Sequence, residues 1–171
     1  WRNDYHLARS SCHARRGHLQ GAPQQDCVSR PGDYGRLLMS KFAFVMRGVP
    51  GSGKSTTARR LAGLKGTVHA VDDYHKARGE FLWNDERKDE FYHLNFKAFV
   101  ESLDAGIETV VCDCINVTRE EYTKYIHAAQ SRGYTTATVT MADIGVESAV
   151  DRNRHSVTID QITDMYERWE D

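Results

Sequence analysis
Nine residues in the first third of the chain have the types and spacing to hold a polyphosphate. Gly48-Val49-Pro50-Gly51-Ser52-Gly53-Lys54-Ser55-Thr56 fits the pattern G-x-x-x-x-G-K-[ST]. Glycines let successive backbone N–H groups curl around an anion, and a helix starting directly afterwards adds the positive end of its dipole. Lys54 then reaches the β- and γ-phosphates of a nucleoside triphosphate, and the Ser55 hydroxyl can hold Mg²⁺. Gly48, Pro50, Gly51, Ser52, Gly53, Lys54, Ser55 and Thr56 are the expected nucleotide-binding residues, with ATP and Mg²⁺ as the expected cofactors.

Acidic residues follow at the ends of two later apolar runs. Asp72 and Asp73 close one, and Asp113 closes the next. Phosphoryl transfer asks a protein mainly for charge neutralisation and alignment, plus a carboxylate beside the acceptor hydroxyl to take its proton. Asp72 is the candidate for that base, whereas Asp73 reads as a helix cap or solvated loop residue. Asp113 has the position of a Walker-B-like group acting on Mg²⁺ through water; a simple strand-end turn is the alternative.

Near the C-terminus, Arg152-Asn153-Arg154-His155-Ser156-Val157 lies between two helical patterns. Paired cations in such a connection suit a lid that closes over a triphosphate and stabilises transferring charge, so Arg152 and Arg154 join the catalytic candidates. A basic helix end complementing the dipole is the plain alternative. His155 reads as polar surface of that loop. Trp83-Asn84 and Phe91-Tyr92-His93 suit either core packing or stacking on a base.

These residues need a frame. Phe42–Met46 is an apolar run of buried-strand length before the loop, and Thr57–Ala62 is a helix reaching a stop at Gly63. Further strands are predicted at residues 67–71, 109–112 and 135–141, and helices at 86–103, 118–132, 146–153 and 158–169. Thr118-Arg119-Glu120-Glu121 and Thr158-Ile159-Asp160-Gln161 fit capping boxes. Strands separated by helices imply an α/β, three-layer fold: a mainly parallel sheet of four to five strands flanked by helices, with ligands at the strands' carboxyl ends.

Composition narrows the function classes. The 171 residues have formal net charge −1, but residues 1–38 carry six Arg against three Asp, which is +3, leaving −4 for residues 39–171. A mildly acidic domain is ill-suited to gripping a nucleic-acid duplex broadly, though it can hold one strand end. No apolar run approaches membrane-spanning length. Four cysteines at these spacings form neither a disulfide framework nor a C-x-x-C zinc site, and Cys112 and Cys114 read as buried thiols on one side of a strand. Together these predict a cytoplasmic protein with no membrane association and no obligate protein partner.

Residues 1–38 hold none of the seven lysines and no sustained period, and the chain opens on Trp1. They are expected to be a disordered or non-native leader before a domain spanning 39–171, with a basic nucleic-acid arm as the alternative.

Taken together, the residues resemble the polynucleotide-kinase-like branch of P-loop kinases and its AAA-type relatives. That branch includes the phage 5′-hydroxyl polynucleotide kinase domain and the kinase-like half of myelin cyclic-nucleotide phosphodiesterase. The likeness covers residues 42–169. It rests on G-x-P-G-S-G-K-S-T, on Asp72-Asp73-Tyr74, similar to the family's D-D-Y, and on Asp113-Cys114-Ile115-Asn116, similar to its D-x-T-N. Arg152-Asn153, Val157 and Met165-Tyr166 match its ending. The resemblance implies Asp72 as general base, Arg152 or Arg154 as lid arginine, and Lys54 and Ser55 in phosphate and metal roles. Two positions differ: His75 stands where the phage enzyme has a substrate-binding Arg, and Ile115 replaces Thr.

The sequence thus predicts a stand-alone ATP- and Mg²⁺-dependent kinase acting on a hydroxyl. The 5′-hydroxyl of a polynucleotide is the leading acceptor and a small-molecule alcohol such as a nucleoside or sugar the alternative. A rival of another class is a partner-dependent ATPase or nucleotide-binding switch.

Overall fold
A computed structural model describes residues 40–171 except 78–79, 82–84 and 156. The proposed leader and the Trp83-Asn84 cluster therefore lie outside the described residues. In chain order the elements are β1 (Phe42–Arg47), α1 (Lys54–Ala62), β2 (Thr67–His69), β3 (Lys76–Ala77), β4 (Glu80–Phe81), α2 (Lys88–Asp104), β5 (Thr109–Cys112), α3 (Arg119–Gln130), β6 (Thr135–Thr140), α4 (Val146–Arg152) and α5 (Ile159–Glu167). Four strands form one parallel sheet in the order β2-β5-β1-β6, and β3 and β4 form a small antiparallel hairpin.

β1 is central, and its sequence shows why. Ala43, Val45 and Met46 are fully buried because helices cover both faces of a parallel sheet. Residues of alternate parity serve the two layers. Met46 and Val111 pack on one side against Ala58 and Ala62 of α1. Ala43, Val45, Val110 and Cys112 pack on the other against Phe91, Phe99 and Leu103 of α2 and Tyr125 and Ala129 of α3. In α2 the buried residues are Phe91, Asn95, Phe99 and Leu103, a strict four-residue spacing that puts one stripe on the sheet. Removing the fully buried Phe99 ring by an Ala substitution should cost about 3–5 kcal/mol, from lost burial plus the cavity left behind.

Both capping boxes form. Thr118 Oγ1 accepts from the Glu121 N–H and Thr158 Oγ1 from the Gln161 N–H, while the Gln161 side chain accepts from the Thr158 N–H at 2.9 Å. Strand β2 stops at His69, two residues earlier than expected, and Asp72 and Asp73 lie in a 3₁₀ turn over Val71–Asp73 rather than at a strand end. Cys114 lies beyond β5, yet both it and Cys112 are buried free thiols, and burial pushes the Cys112 thiol up. Among the described residues no helix is long and apolar enough to cross a membrane.

Because β2, β5 and β1 are adjacent and parallel, the loops leaving their carboxyl ends meet along one rim of the sheet. Those loops carry Asp72, Asp113 and the Gly48–Thr56 segment.

Candidate active site
The glycine-rich loop turns out of β1 with Gly48 and Gly51 at φ +153° and +76°. A Cβ on Gly48 would lie 2.8 Å from Ser52 Oγ, and one on Gly51 would lie 2.9 Å from Arg152 Cβ. The loop therefore needs glycine both for its path and for its close neighbours. Helix α1 starts at Lys54 behind Gly53, with no side-chain cap and no acidic residue in its first turn. No side chain of the helix thus competes for the N–H groups of that first turn, which suits an anion.

Lys54 is almost fully buried and its Nζ donates to the Val49 carbonyl at 2.9 Å, inside the loop's own curve. Burial lowers its pKa, opposed by the nearby carboxylates of Asp113 and Asp72. The Ser52 hydroxyl is buried in the loop and has no hydrogen-bond partner.

Asp113 follows β5 and extends its ladder, its N–H donating to the His69 carbonyl at 2.8 Å. The residue is only 8% exposed and Oδ1 has no hydrogen-bond partner. Burial raises its pKa; the Ser55 hydroxyl and the Lys54 charge oppose that, and the Asp72 charge adds to it.

Asp72 sits on the 3₁₀ turn anchored by buried Val71, and its side chain remains 43% exposed. Its Oδ2 lies 3.5 Å from His155 Nε2. Asp73 points elsewhere and pairs with Lys76 at the surface, in keeping with its reading as a solvated loop residue. Ser55, Asp72 and Asp113 open into one cleft of about 140 Å³ that Arg59, Lys76 and His155 also line.

The Arg152–Val157 connection divides its residues. Arg152 ends α4 and backs onto Gly51. Arg154 is exposed and makes no hydrogen bond or ion pair among the described residues. Asn153 braces the turn, its Nδ2 donating to the Val157 carbonyl at 2.8 Å and its Oδ1 accepting from the His155 N–H at 2.9 Å. His155, read from sequence as polar surface, is the loop residue that reaches Asp72. No local pattern signals this, because the partners are far apart in the chain.

The structure also gives two further sequence positions a place. His75 is 2% exposed and packs edge-on against Phe91 at 4.8 Å between ring centroids, so the position aligned with a substrate-binding Arg is turned into the core. Phe91 is likewise core, with Tyr92 packed against it, which favours packing over base stacking for that cluster.

An ATP·Mg²⁺ group fits these residues. The orphaned Asp113 Oδ1 and Ser52 Oγ and the uncapped α1 start are a donor and acceptor set lacking a partner. Among the described residues no group of three His, Cys, Asp or Glu could hold a metal alone. A metal here would take the Ser55 hydroxyl, meet the Asp113 carboxylate through water, and complete its shell with phosphate and water oxygens, since Mg²⁺ usually keeps several waters.

The profile of the family described as "AAA domain" matches residues 44–164, from β1 into α5. The chain belongs to that AAA-domain family. This AAA domain has 26% identity over 157 residues with NEDD4-binding protein 2 of Homo sapiens, covering 89% of the chain and 9% of that protein. It has 24% identity over 173 residues with YLP motif-containing protein 1 of Rattus norvegicus, covering 85% of the chain and 12% of that protein. The chain thus spans about a tenth of the length of these curated relatives. Among solved structures, a chain of the Pnkp1/Rnl/Hen1 RNA repair complex superposes with TM-score 0.60 at 16% identity, over 75% of this chain and 44% of that one. A gluconokinase from Sinorhizobium meliloti 1021 gives 0.53 at 19%, over 78% and 76%. Chaetomium thermophilum Kti12 in complex with ADP-AlF3 gives 0.52 at 16%, over 75% and 80%. At these identities the likeness is one of fold: the AAA domain has the P-loop kinase architecture.

Proposed function
We propose that this domain is an ATP-dependent phosphotransferase whose acceptor is a hydroxyl, foremost the 5′-hydroxyl of a polynucleotide. The observation that carries the reading is the convergence of Ser55, Asp72 and Asp113 in one cleft beside the glycine loop and Lys54. Backbone N–H groups of residues 48–56 other than Pro50, at the start of α1 and before it, hold the phosphates, and Lys54 leaves the Val49 carbonyl to reach the β- and γ-oxygens. Ser55, and Asp113 through water, would hold Mg²⁺, which would supply positive charge to neutralise the phosphates. Asp72 takes the hydroxyl proton as the acceptor oxygen bonds to the γ-phosphorus and the bridging bond to ADP breaks. Arg152, with Arg154 beside it, supplies positive charge from the lid.

A second reading, a kinase of small alcohols, is favoured by one observation. With His75 in the core, its position presents no cation to an acceptor phosphate. A panel of 5′-hydroxyl oligonucleotides against nucleosides and sugars, with γ-labelled ATP, separates the two. Label entering oligonucleotides supports the leading reading. Label entering only small alcohols replaces it with the second, and hydrolysis without transfer to any acceptor replaces both with an ATPase.

A further inference from the structure
The end of α4 and the loop after it touch both the phosphate loop and the cleft. The last residue of α4, Arg152, lies on Gly51 of the phosphate loop. Three residues on, His155 Nε2 lies 3.5 Å from Asp72 Oδ2. Asn153 fixes the path between them, bonded to the Val157 carbonyl and to the His155 N–H. The imidazole is therefore delivered to the carboxylate by a braced turn.

The chemistry of Asp72 gives this contact a purpose. A base on a half-exposed turn can rotate, and only an orientation that presents one oxygen to the acceptor is productive. Lys76, the nearest lysine in sequence, is engaged with Asp73. Among the described residues, Asp72 Oδ1 has no partner and Oδ2 has only His155. An Nε2–H donor on Oδ2 fixes the carboxylate and leaves Oδ1 for the hydroxyl. At 3.5 Å the contact is longer than a formed hydrogen bond, but catalytic hydrogen bonds in sites without substrate are often this loose and tighten in the reacting complex.

We propose that His155 is the positioning residue for Asp72: it orients the base through Oδ2 and ties that orientation to the seating of the lid on the glycine loop. This rests on the kinase reading above and concerns the same site.

The test compares the wild type, His155→Ala, His155→Gln, Asp72→Asn and the Asp72→Asn/His155→Ala pair in steady-state kinetics. Turnover is read with ATP and a 5′-hydroxyl DNA oligonucleotide, and separately with water as acceptor through ADP release. Thermal melting checks that each variant is folded. His155→Ala should lower kcat by about tenfold or more, within the range that a positioned base supplies, and should leave the KM for ATP unchanged. His155→Gln keeps an N–H donor and should recover most of the loss. With Asp72→Asn already present, His155→Ala should have no further effect. Wild-type kcat in His155→Ala, no recovery in His155→Gln, or an equal loss in the Asp72→Asn background would each overturn the proposal while leaving the kinase reading standing. Full turnover in Asp72→Asn would instead remove the base assignment, and no ADP release or transfer by the wild type would remove the kinase reading and this inference with it.

Discussion
Gly51 and Arg152 approach so closely that a Cβ on the glycine would lie 2.9 Å from the arginine Cβ and 3.0 Å from the Ala149 carbonyl oxygen. The phosphate loop and the C-terminal helices are therefore one mechanical unit. Val49 of the loop shares its cluster with Ala149 and Ile162 of α4 and α5, so a change in the loop's shape is felt by those two helices.

The first prediction uses that contact. Gly51→Ala meets a left-handed φ and a backbone oxygen that cannot rotate away, so the loop must deform. Strain of this kind costs on the order of 1–3 kcal/mol. The variant should melt lower than the wild type and bind magnesium-ATP at least tenfold more weakly by calorimetry. Unchanged binding would show that the loop does not hold nucleotide in this shape.

Substitutions at the reacting groups should separate binding from chemistry. Lys54→Ala removes the cation closest to the expected phosphates and should lower turnover at least a hundredfold, with weaker ATP binding. Asp72→Asn keeps shape and removes basicity, so it should lower transfer by about a hundredfold or more while ATP binding stays within about twofold. Calorimetry and transfer of labelled phosphate measure the two effects independently.

The local parts of this site were legible from sequence and the non-local parts were not. The glycine loop announces itself because nine consecutive residues form it and a strand and helix must flank it. The acids at positions 72 and 113 were found because loops at strand ends are where a parallel sheet offers its ligands. The contact of His155 with Asp72 depends on where α4 and α5 dock, and no periodicity encodes that. The hairpin of β3 and β4 escaped because two-residue strands are too short for alternation to register. Arg47 was missed for the opposite reason: a charge at the end of an apolar run looks like a solvated edge, yet it is 4% exposed.

Asp113 gives a prediction about pH and metal. Burial holds its carboxyl above the ordinary value, opposed by Ser55 and Lys54 and reinforced by Asp72. A folded state with a raised acid pKa binds the proton more tightly than the unfolded chain does. Its favourable contribution is complete below the ordinary carboxylate range and is lost as pH rises through the raised value. Above that value the buried carboxylate charge therefore disfavours the folded protein without ligand. Asp113→Asn should raise Tm by a few degrees there and leave it little changed under acid conditions. Magnesium-ATP should then raise the wild-type Tm by more than it raises that of the variant, since the variant lacks the carboxylate charge that the proposed function assigns to the metal. A variant that melts lower than the wild type at neutral pH in the absence of ligand would contradict this account.

The last prediction concerns Arg47, which ties the chain end to the central strand. Its Nε donates to the Asn116 carbonyl at 2.9 Å, and one terminal nitrogen donates to the Val117 carbonyl at 2.9 Å and to the Glu170 carbonyl. The guanidinium lies between the rings of Tyr122 and Trp169, 4.4 and 4.5 Å from their centroids. Arg47→Met fills much of the volume but leaves the Asn116 and Glu170 carbonyls without the guanidinium donor and the rings without a cation. At about 1–3 kcal/mol for the one stranded buried acceptor, the Asn116 carbonyl, plus the cation–π contribution, the loss should total roughly 2–4 kcal/mol. The Glu170 N–H to Val117 and Arg119 N–H to Glu170 contacts rest on the same docking, so the tail should detach as a unit. Trp169 reports this directly: its fluorescence should shift to the red in Arg47→Met before global unfolding, at denaturant concentrations where the wild type is unchanged. Asn116, at φ +54° with its Nδ2 on the Met46 carbonyl, links this anchor to the strand that feeds the glycine loop. Weaker magnesium-ATP binding should therefore accompany the red shift, and binding that stays at wild-type strength after the tail has detached would show that the anchor serves stability alone.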